Sequence, residues 1–150
     1  MIAVGKKAPA FSLPSSSGTN VSLKDLKGKT VVLYFYPKDN TPGCTQEACD
    51  FRDNFARIQA AGALVFGVSA DSIASHRKFQ QKLELPFELL SDESHTVLEA
   101  YGAWKEKSMY GRTFMGIERS TVIIDANGVV VQVFPKVKVK GHVDEILAVL

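Results

Sequence analysis

Much that would announce a function at once is missing from this sequence. Lys and Arg number 18 against 16 Asp and Glu, a formal net charge of +2, and no dense basic cluster favours nucleic acid or an anionic membrane surface. No apolar run approaches the roughly 20 residues of a membrane span. The N-terminus lacks the apolar core of a secretory signal, so no signal peptide is expected and the expected setting is the cytoplasm. A Gly-rich phosphate loop is absent, which removes support for nucleotide chemistry. There is no internal repeat and no low-complexity tract; Ser15-Ser16-Ser17-Gly18 is only a turn. The C-x-x-C of a disulfide exchanger or zinc knuckle is also absent. His76, His95 and His142 have no ligand spacing among themselves, so no metal is expected, and no cofactor is expected either.

What is present is the composition of an ordinary globular domain, 45% hydrophobic and 23% charged. A chain of 150 residues reads as one domain, 1–150, able to bury about 68–70% of its unfolded surface. Only two cysteines occur, and both lie in one short stretch, Pro37 to Cys49. In a chain with no expected secretory signal, two cysteines point to redox chemistry before a structural disulfide.

That stretch follows an apolar run, Thr30 to Tyr36, that reads as a central strand covered on both faces. It leads into a helix expected to reach about Ala61, with Phe51, Phe55 and Ile58 on its inner face and Gly62 as its stop. Thr41 suits the N-cap and Pro42 the first helical position. Gly43 lets the backbone approach a neighbour or ligand closely. Cys44 then falls in the first turn, near free amide N–H groups and the positive end of the helix dipole, which favour a thiolate over a thiol. A small buried hydrophobic cysteine is the plain alternative. Cys49 lies five residues on. The rise between them is about 7.5 Å, and the Cα atoms of an intact helix sit roughly 8–9 Å apart, beyond the ~7 Å limit for a disulfide. The pair can join only if the first turns unwind. A copper chaperone, with C-x-x-x-C and a distant histidine, and a redox-silent binding module are the rival classes.

Pro37-x-x-x-Thr41-x-x-Cys44 resembles the active-site motif of the peroxiredoxins. With Cys49 it is similar to the Q-type, or bacterioferritin-comigratory-protein, subgroup. The opening Gly5 to Phe11, Phe66 to Asp71, Leu89 to Asp92, Tyr101 to Trp104 and Gly116 to Thr121 resemble the family's other blocks in order. The resemblance implies a thioredoxin-like α/β fold with a mixed central sheet flanked by helices and an N-terminal extension. It implies a thiol peroxidase in which Cys44 attacks hydrogen peroxide or an organic hydroperoxide to give sulfenic acid. Cys49 then resolves it as an intramolecular disulfide after local unwinding, and a thioredoxin-type dithiol reduces the disulfide. Arg119 is implied as the cation at the thiolate, ahead of Arg112 and Arg52, which composition alone cannot separate from it. Glu47 is implied as the residue orienting Arg119. Thr41 and the amides of Gly43 and Cys44 are candidates to bind the peroxide, and Pro37 to shield the sulfur. Many Q-type members are monomers, and a monomer is expected.

The remaining elements follow from periodicity. Phe11 to Leu13 and Asn20 to Leu23 predict a short hairpin, and Leu23 to Leu26 one helical turn. Ala63 to Ser69 is a buried strand. A helix capped at Asp71 or Ser72 runs to about Leu83, with Ile73 and Phe79 inward. Phe87 to Leu90 is a strand and Glu93 to Tyr101 a short helix. Lys105 to Gly116 reads as an exposed loop, and Trp104 packs on the core or a helix flank. Ser120 to Asp125 and Val129 to Phe134 form a hairpin around Asn127-Gly128. Lys136, Lys138 and Lys140 alternate with valines as the solvated face of a strand. A last helix from Gly141 or His142 buries Ile146, Leu147 and Leu150.

Overall fold

A computed structural model describes residues 1–150. Its centre is β3, Thr30–Phe35, every residue of which after Thr30 is buried. β4 (Ala63–Ser69) pairs parallel with β3, and β5 (Glu88–Ser91) pairs parallel with β4. On the other side β8 (Ser120–Ile124) and β9 (Val130–Phe134) add antiparallel, giving the order β5-β4-β3-β8-β9. The sheet is therefore mixed, as expected. The two parallel connections carry helices, the usual form of such crossovers.

The two-residue period of β3 sorts the core into two halves. Val31, Leu33 and Phe35 pack with Phe11, Leu13, Val97, Leu98 and Tyr101. That face is covered by the N-terminal hairpin, β1 (Ser12–Pro14) with β2 (Asn20–Ser22), and by α4 (Thr96–Ala100). Val32, Tyr34 and Tyr36 pack on the opposite face with Cys44, Phe51, Ile58, Phe79 and Ile146. Those residues come from α1 (Pro42–Asp53), α2 (Phe55–Ala60), α3 (Ile73–Leu83) and α5 (His142–Val149). Leu23–Leu26 is a single 3-10 turn. No helix is long and apolar enough to cross a membrane.

Three expectations are corrected. The helix after Cys44 does not run on to Ala61. Asn54 breaks it, donating from its side-chain amide to the Asp50 carbonyl at 2.9 Å, where it competes with the helical backbone. Lys105 to Gly116 is not a loop but an antiparallel pair, β6 (Trp104–Met109) with β7 (Arg112–Ile117). Its turn, Tyr110-Gly111, has φ of +52° and +74°. Two positive φ values give the turn that matches strand twist, but Tyr-Gly is not the Asn-Gly that signals it in sequence. Lys136, Lys138 and Lys140 are exposed but lie beyond the end of β9, with Lys136 at φ +48°; no strand forms there. Trp104 stacks on His95, ring centroids 3.8 Å apart, at the flank of α4.

Candidate active site

Cys44 sits one residue past Gly43 in the first turn of α1 and is 2% exposed. The loop from Pro37 to Thr41 brings α1 back over the end of β3. Thr41 occupies the N-cap in extended conformation and Pro42 opens the helix. Thr41 does not cap with its side chain, contrary to expectation. Its hydroxyl donates to the Lys38 carbonyl at 2.8 Å. The backbone amides of Gly43 and Cys44 have no protein acceptor. They are two of the donors that every helix start leaves free.

Arg119 reaches this turn from the residue before β8, 75 positions along the chain. Its Nη2 lies 3.3 Å from Cys44 Sγ, and its Nη1 donates to Glu47 Oε1 at 2.7 Å. Gly43 makes room for it. A Cβ at that position would stand 3.0 Å from Arg119 Nη2. The glycine thus allows close approach of a neighbour, and the neighbour is the arginine. Arg52 instead bonds Asp53 and the Leu83 carbonyl, and Arg112 is exposed at the hairpin turn, so neither shares the site.

The electrostatics are those of a charged group held in a low-dielectric turn. Burial pushes Glu47 up to about 7, and the attraction of Arg119 only partly opposes it. Its second oxygen, Oε2, is buried with no partner. Burial pulls Arg119 down, but Glu47 and Cys44 outweigh it and raise the guanidinium above its ordinary value. The arginine is therefore a fixed cation at hydrogen-bond distance from the sulfur. Tyr34 lies beneath, stacked on Phe51 at 4.4 Å, with its hydroxyl buried and unpartnered. Burial raises its pKa well above the ordinary phenolic value, aided by Glu47 and Cys44.

Of the residues singled out in the sequence, Cys44, Arg119, Glu47 and Gly43 are brought together. Thr41 stands at the same turn. Pro37 is exposed in the loop before the helix. Cys49 is half-buried on the same helix, and both cysteines are free thiols. One polar centre leaves no signal in the sequence. His76 has no ligand spacing to the other histidines, yet it meets Asp39 at 2.7 Å under the same loop. The alternation of loop and helix across thirty-odd residues hides that pairing from any local pattern.

A chain that presents a thiol to a helix start with an arginine against it invites comparison with known proteins. Residues 4–133 match the AhpC/TSA family. A putative peroxiredoxin bcp of Coxiella burnetii is 55% identical, covering 97% of both chains. Peroxiredoxin Bcp of Bacillus subtilis is 51% identical over 99% of this chain and 95% of its own. A solved cysteine-to-serine mutant of Xylella fastidiosa PrxQ superposes with a TM-score of 0.93 at 37% identity, covering 99% and 94% of the two chains. The chain belongs to the AhpC/TSA family and, within it, to the Bcp or Q-type peroxiredoxins: it is a thiol peroxidase of thioredoxin-like fold.

Proposed function

We propose that residues 1–150 act as one domain that reduces hydroperoxides at Cys44 and is recycled through a Cys44–Cys49 disulfide. The observation that carries this reading is the Cys44–Arg119 contact of 3.3 Å at a helix start with two free amides. A cation at that distance stabilises negative charge on sulfur, and the free donors stabilise charge on an oxygen leaving it.

The first step takes the electron pair of the Cys44 thiolate to the O–H-bearing oxygen of the hydroperoxide. The S–O bond forms as the O–O bond breaks. Sulfur is oxidised by two electrons to sulfenic acid, and the departing oxygen leaves as hydroxide or alkoxide and takes a proton to become water or alcohol. The Thr41 proton is committed to the Lys38 carbonyl, so Thr41 Oγ1 meets the substrate as an acceptor. It is suited to take a hydrogen bond from the peroxide O–H and to hold the attacked oxygen in line with the sulfur. Arg119 faces the sulfur and the developing charge, and Glu47 keeps it there. Pro37, exposed at the loop, screens the approach only from the solvent side.

In the second step the Cys49 thiolate attacks the Cys44 sulfenic sulfur and expels hydroxide, which leaves as water. Both residues lie on α1, and an intact helix holds them too far apart, so its first turns unwind first. A thioredoxin-type dithiol then restores both thiols by exchange. The Cys49→Ser variant tests the sequence of events. It is expected to consume one equivalent of peroxide and then stop in the presence of thioredoxin and its reductase. Sustained turnover by that variant rules out Cys49 as the resolving residue.

A further inference from the structure

Beneath the Cys44 loop lies a second polar cluster that the peroxide chemistry does not use. Asp39 is 6% exposed and accepts three hydrogen bonds. Tyr36 Oη donates to its Oδ1 at 2.6 Å, and Ser75 Oγ and His76 Nδ1 approach its Oδ2 at 2.8 and 2.7 Å. His76 is fully buried, and its Nε2 faces the Leu90 carbonyl at 3.0 Å. The backbone amide of Asp39 donates to Asp71 Oδ2 at 2.9 Å, which also accepts from Ser69 Oγ at 2.6 Å. The next residue, Asn40, has φ of +61° and accepts from Lys82 Nζ at 2.7 Å. The end of β3 and the helix α3 thus hold the Asp39 carboxylate, and the end of β4 holds its backbone amide.

Ligand-type atoms of Asp39, Asp71 and His76 lie within 4.8 Å of one another, but this does not make a cation site. Both oxygens of Asp39 and both ring nitrogens of His76 are already engaged within the network. A network closed in this way specifies one arrangement of the chain. The arrangement it specifies is that of Pro37 to Thr41. Lys38 lies next to Asp39, and the Lys38 carbonyl receives the Thr41 hydroxyl proton.

We propose that Asp39, gripped by Tyr36, Ser75 and His76, is a positioning residue of the peroxidase site: it fixes the Lys38 carbonyl, the carbonyl fixes the Thr41 proton, and Thr41 so turned offers lone pairs to the hydroperoxide beside Cys44. The inference rests on the acceptor role given to Thr41 above. It assigns α3, which contributes nothing to the reacting atoms, a part in the first chemical step. It also separates the two steps. The grip acts on the N-terminal side of Cys44, whereas joining to Cys49 depends on residues after it. Loosening Asp39 therefore slows attack on peroxide and leaves disulfide closure as fast or faster.

The test is a double-variant cycle on the peroxide step, followed by stopped-flow Trp104 fluorescence, with closure followed by intact mass. Thr41→Val keeps shape and removes the hydroxyl. Asp39→Ala is expected to slow the peroxide step ~10–30-fold and Thr41→Val ~100-fold, with the double variant within ~2-fold of Thr41→Val alone. Asp39→Asn keeps the Oδ1 acceptor for Tyr36 but puts an NH2 group where Ser75 and His76 Nδ1 meet Oδ2, so it is expected to slow the peroxide step no more than Asp39→Ala and to lose that effect in the Thr41→Val background. Effects of Asp39→Ala and Thr41→Val that multiply overturn the inference, as does an Asn effect that persists in the Thr41→Val background, or closure slowed in parallel with attack. If Asp39→Ala does not fold, Ser75→Ala removes one donor and is expected to show ~3-fold slowing that also vanishes in the Thr41→Val background. Unaltered protein that fails to react with peroxide overturns the reading of Cys44 and Thr41 first, and this one with it. A normal reaction with a multiplying cycle overturns this one alone.

Discussion

The segment from Pro37 to Glu47 separates two buried polar clusters that share chemistry but not completeness. On one side Asp39 and His76 form a pair in which both carboxylate oxygens and both ring nitrogens have a polar neighbour at hydrogen-bond distance. On the other, Glu47 and Arg119 form a pair of the same 2.7 Å length, yet Glu47 Oε2 is left without a partner, and the amides of Gly43 and Cys44 have none. Buried polar groups are costly to leave unpaired, and folded proteins keep few of them. The difference teaches where the chemistry is. A cluster that only holds the chain closes on itself, whereas one that meets a substrate keeps donors and charge in hand for an oxygen that is not yet there. Tyr34, with its unpartnered hydroxyl, lies under the open cluster, while Tyr36, on the same face of β3, belongs to the closed one.

Substitutions on the two sides should differ accordingly. The largest effect is expected of Cys44→Ser, which removes the nucleophile and should lower peroxide consumption by at least about 10⁴-fold, checked by peroxide loss under excess reductant. Arg119→Met keeps the stem but removes the charge at 3.3 Å from the sulfur, and is expected to cost about 10²–10³-fold in the same step. Tyr36→Phe, in the closed cluster, should cost no more than about 5-fold, since two donors remain on Asp39. Equal losses from Arg119→Met and Tyr36→Phe would erase the distinction between the clusters. Gly43→Ala falls between them. Its added Cβ meets Arg119 Nη2 at 3.0 Å, the guanidinium must retreat from the sulfur, and a loss of about 10-fold is expected. The same change in an Arg119→Met background should then cost little.

The sequence made some of this legible and concealed the rest for physical reasons. β3, α1 and the placing of Cys44 follow from local signals: an apolar run, a proline at the first helical position, a glycine before the cysteine. The Arg119–Cys44 contact, by contrast, spans 75 residues and follows from the antiparallel pairing of β8 on β3, which periodicity cannot register. Family resemblance supplied it, where composition left Arg52 and Arg112 equal to it. The break at Asn54 was missed because a single side chain decides it, against an otherwise continuous apolar stripe. The β6–β7 pair escapes local patterns because Ile117 is its only buried position, so its strands lack the inside–outside alternation that marks a half-buried strand. Thr41 has the residue type and backbone of a cap, but its hydroxyl is engaged elsewhere, by a loop whose shape is set from α3.

The smallest expected effect concerns stability and tests whether the open cluster carries an energetic cost. Glu47 titrates near 7 when folded, against 4.5 for an ordinary glutamate, because burial outweighs its attraction to Arg119. A carboxyl with a raised folded pKa binds more protons in the folded protein than in the unfolded chain between those two values. Stability from this group is therefore fully present below about 4.5 and is lost as pH rises through about 7. Glu47→Gln has no proton to lose. Its stability relative to the unaltered protein should shift in its favour across that window, by at most ~1.4 kcal/mol per pH unit, and level off above it. Urea midpoints for the two proteins at several pH values across the window measure this. A difference that does not change with pH would mean that Arg119 fully offsets the burial of Glu47. The two clusters would then be energetically alike, and only the unpartnered amides at Gly43 and Cys44 would still set them apart.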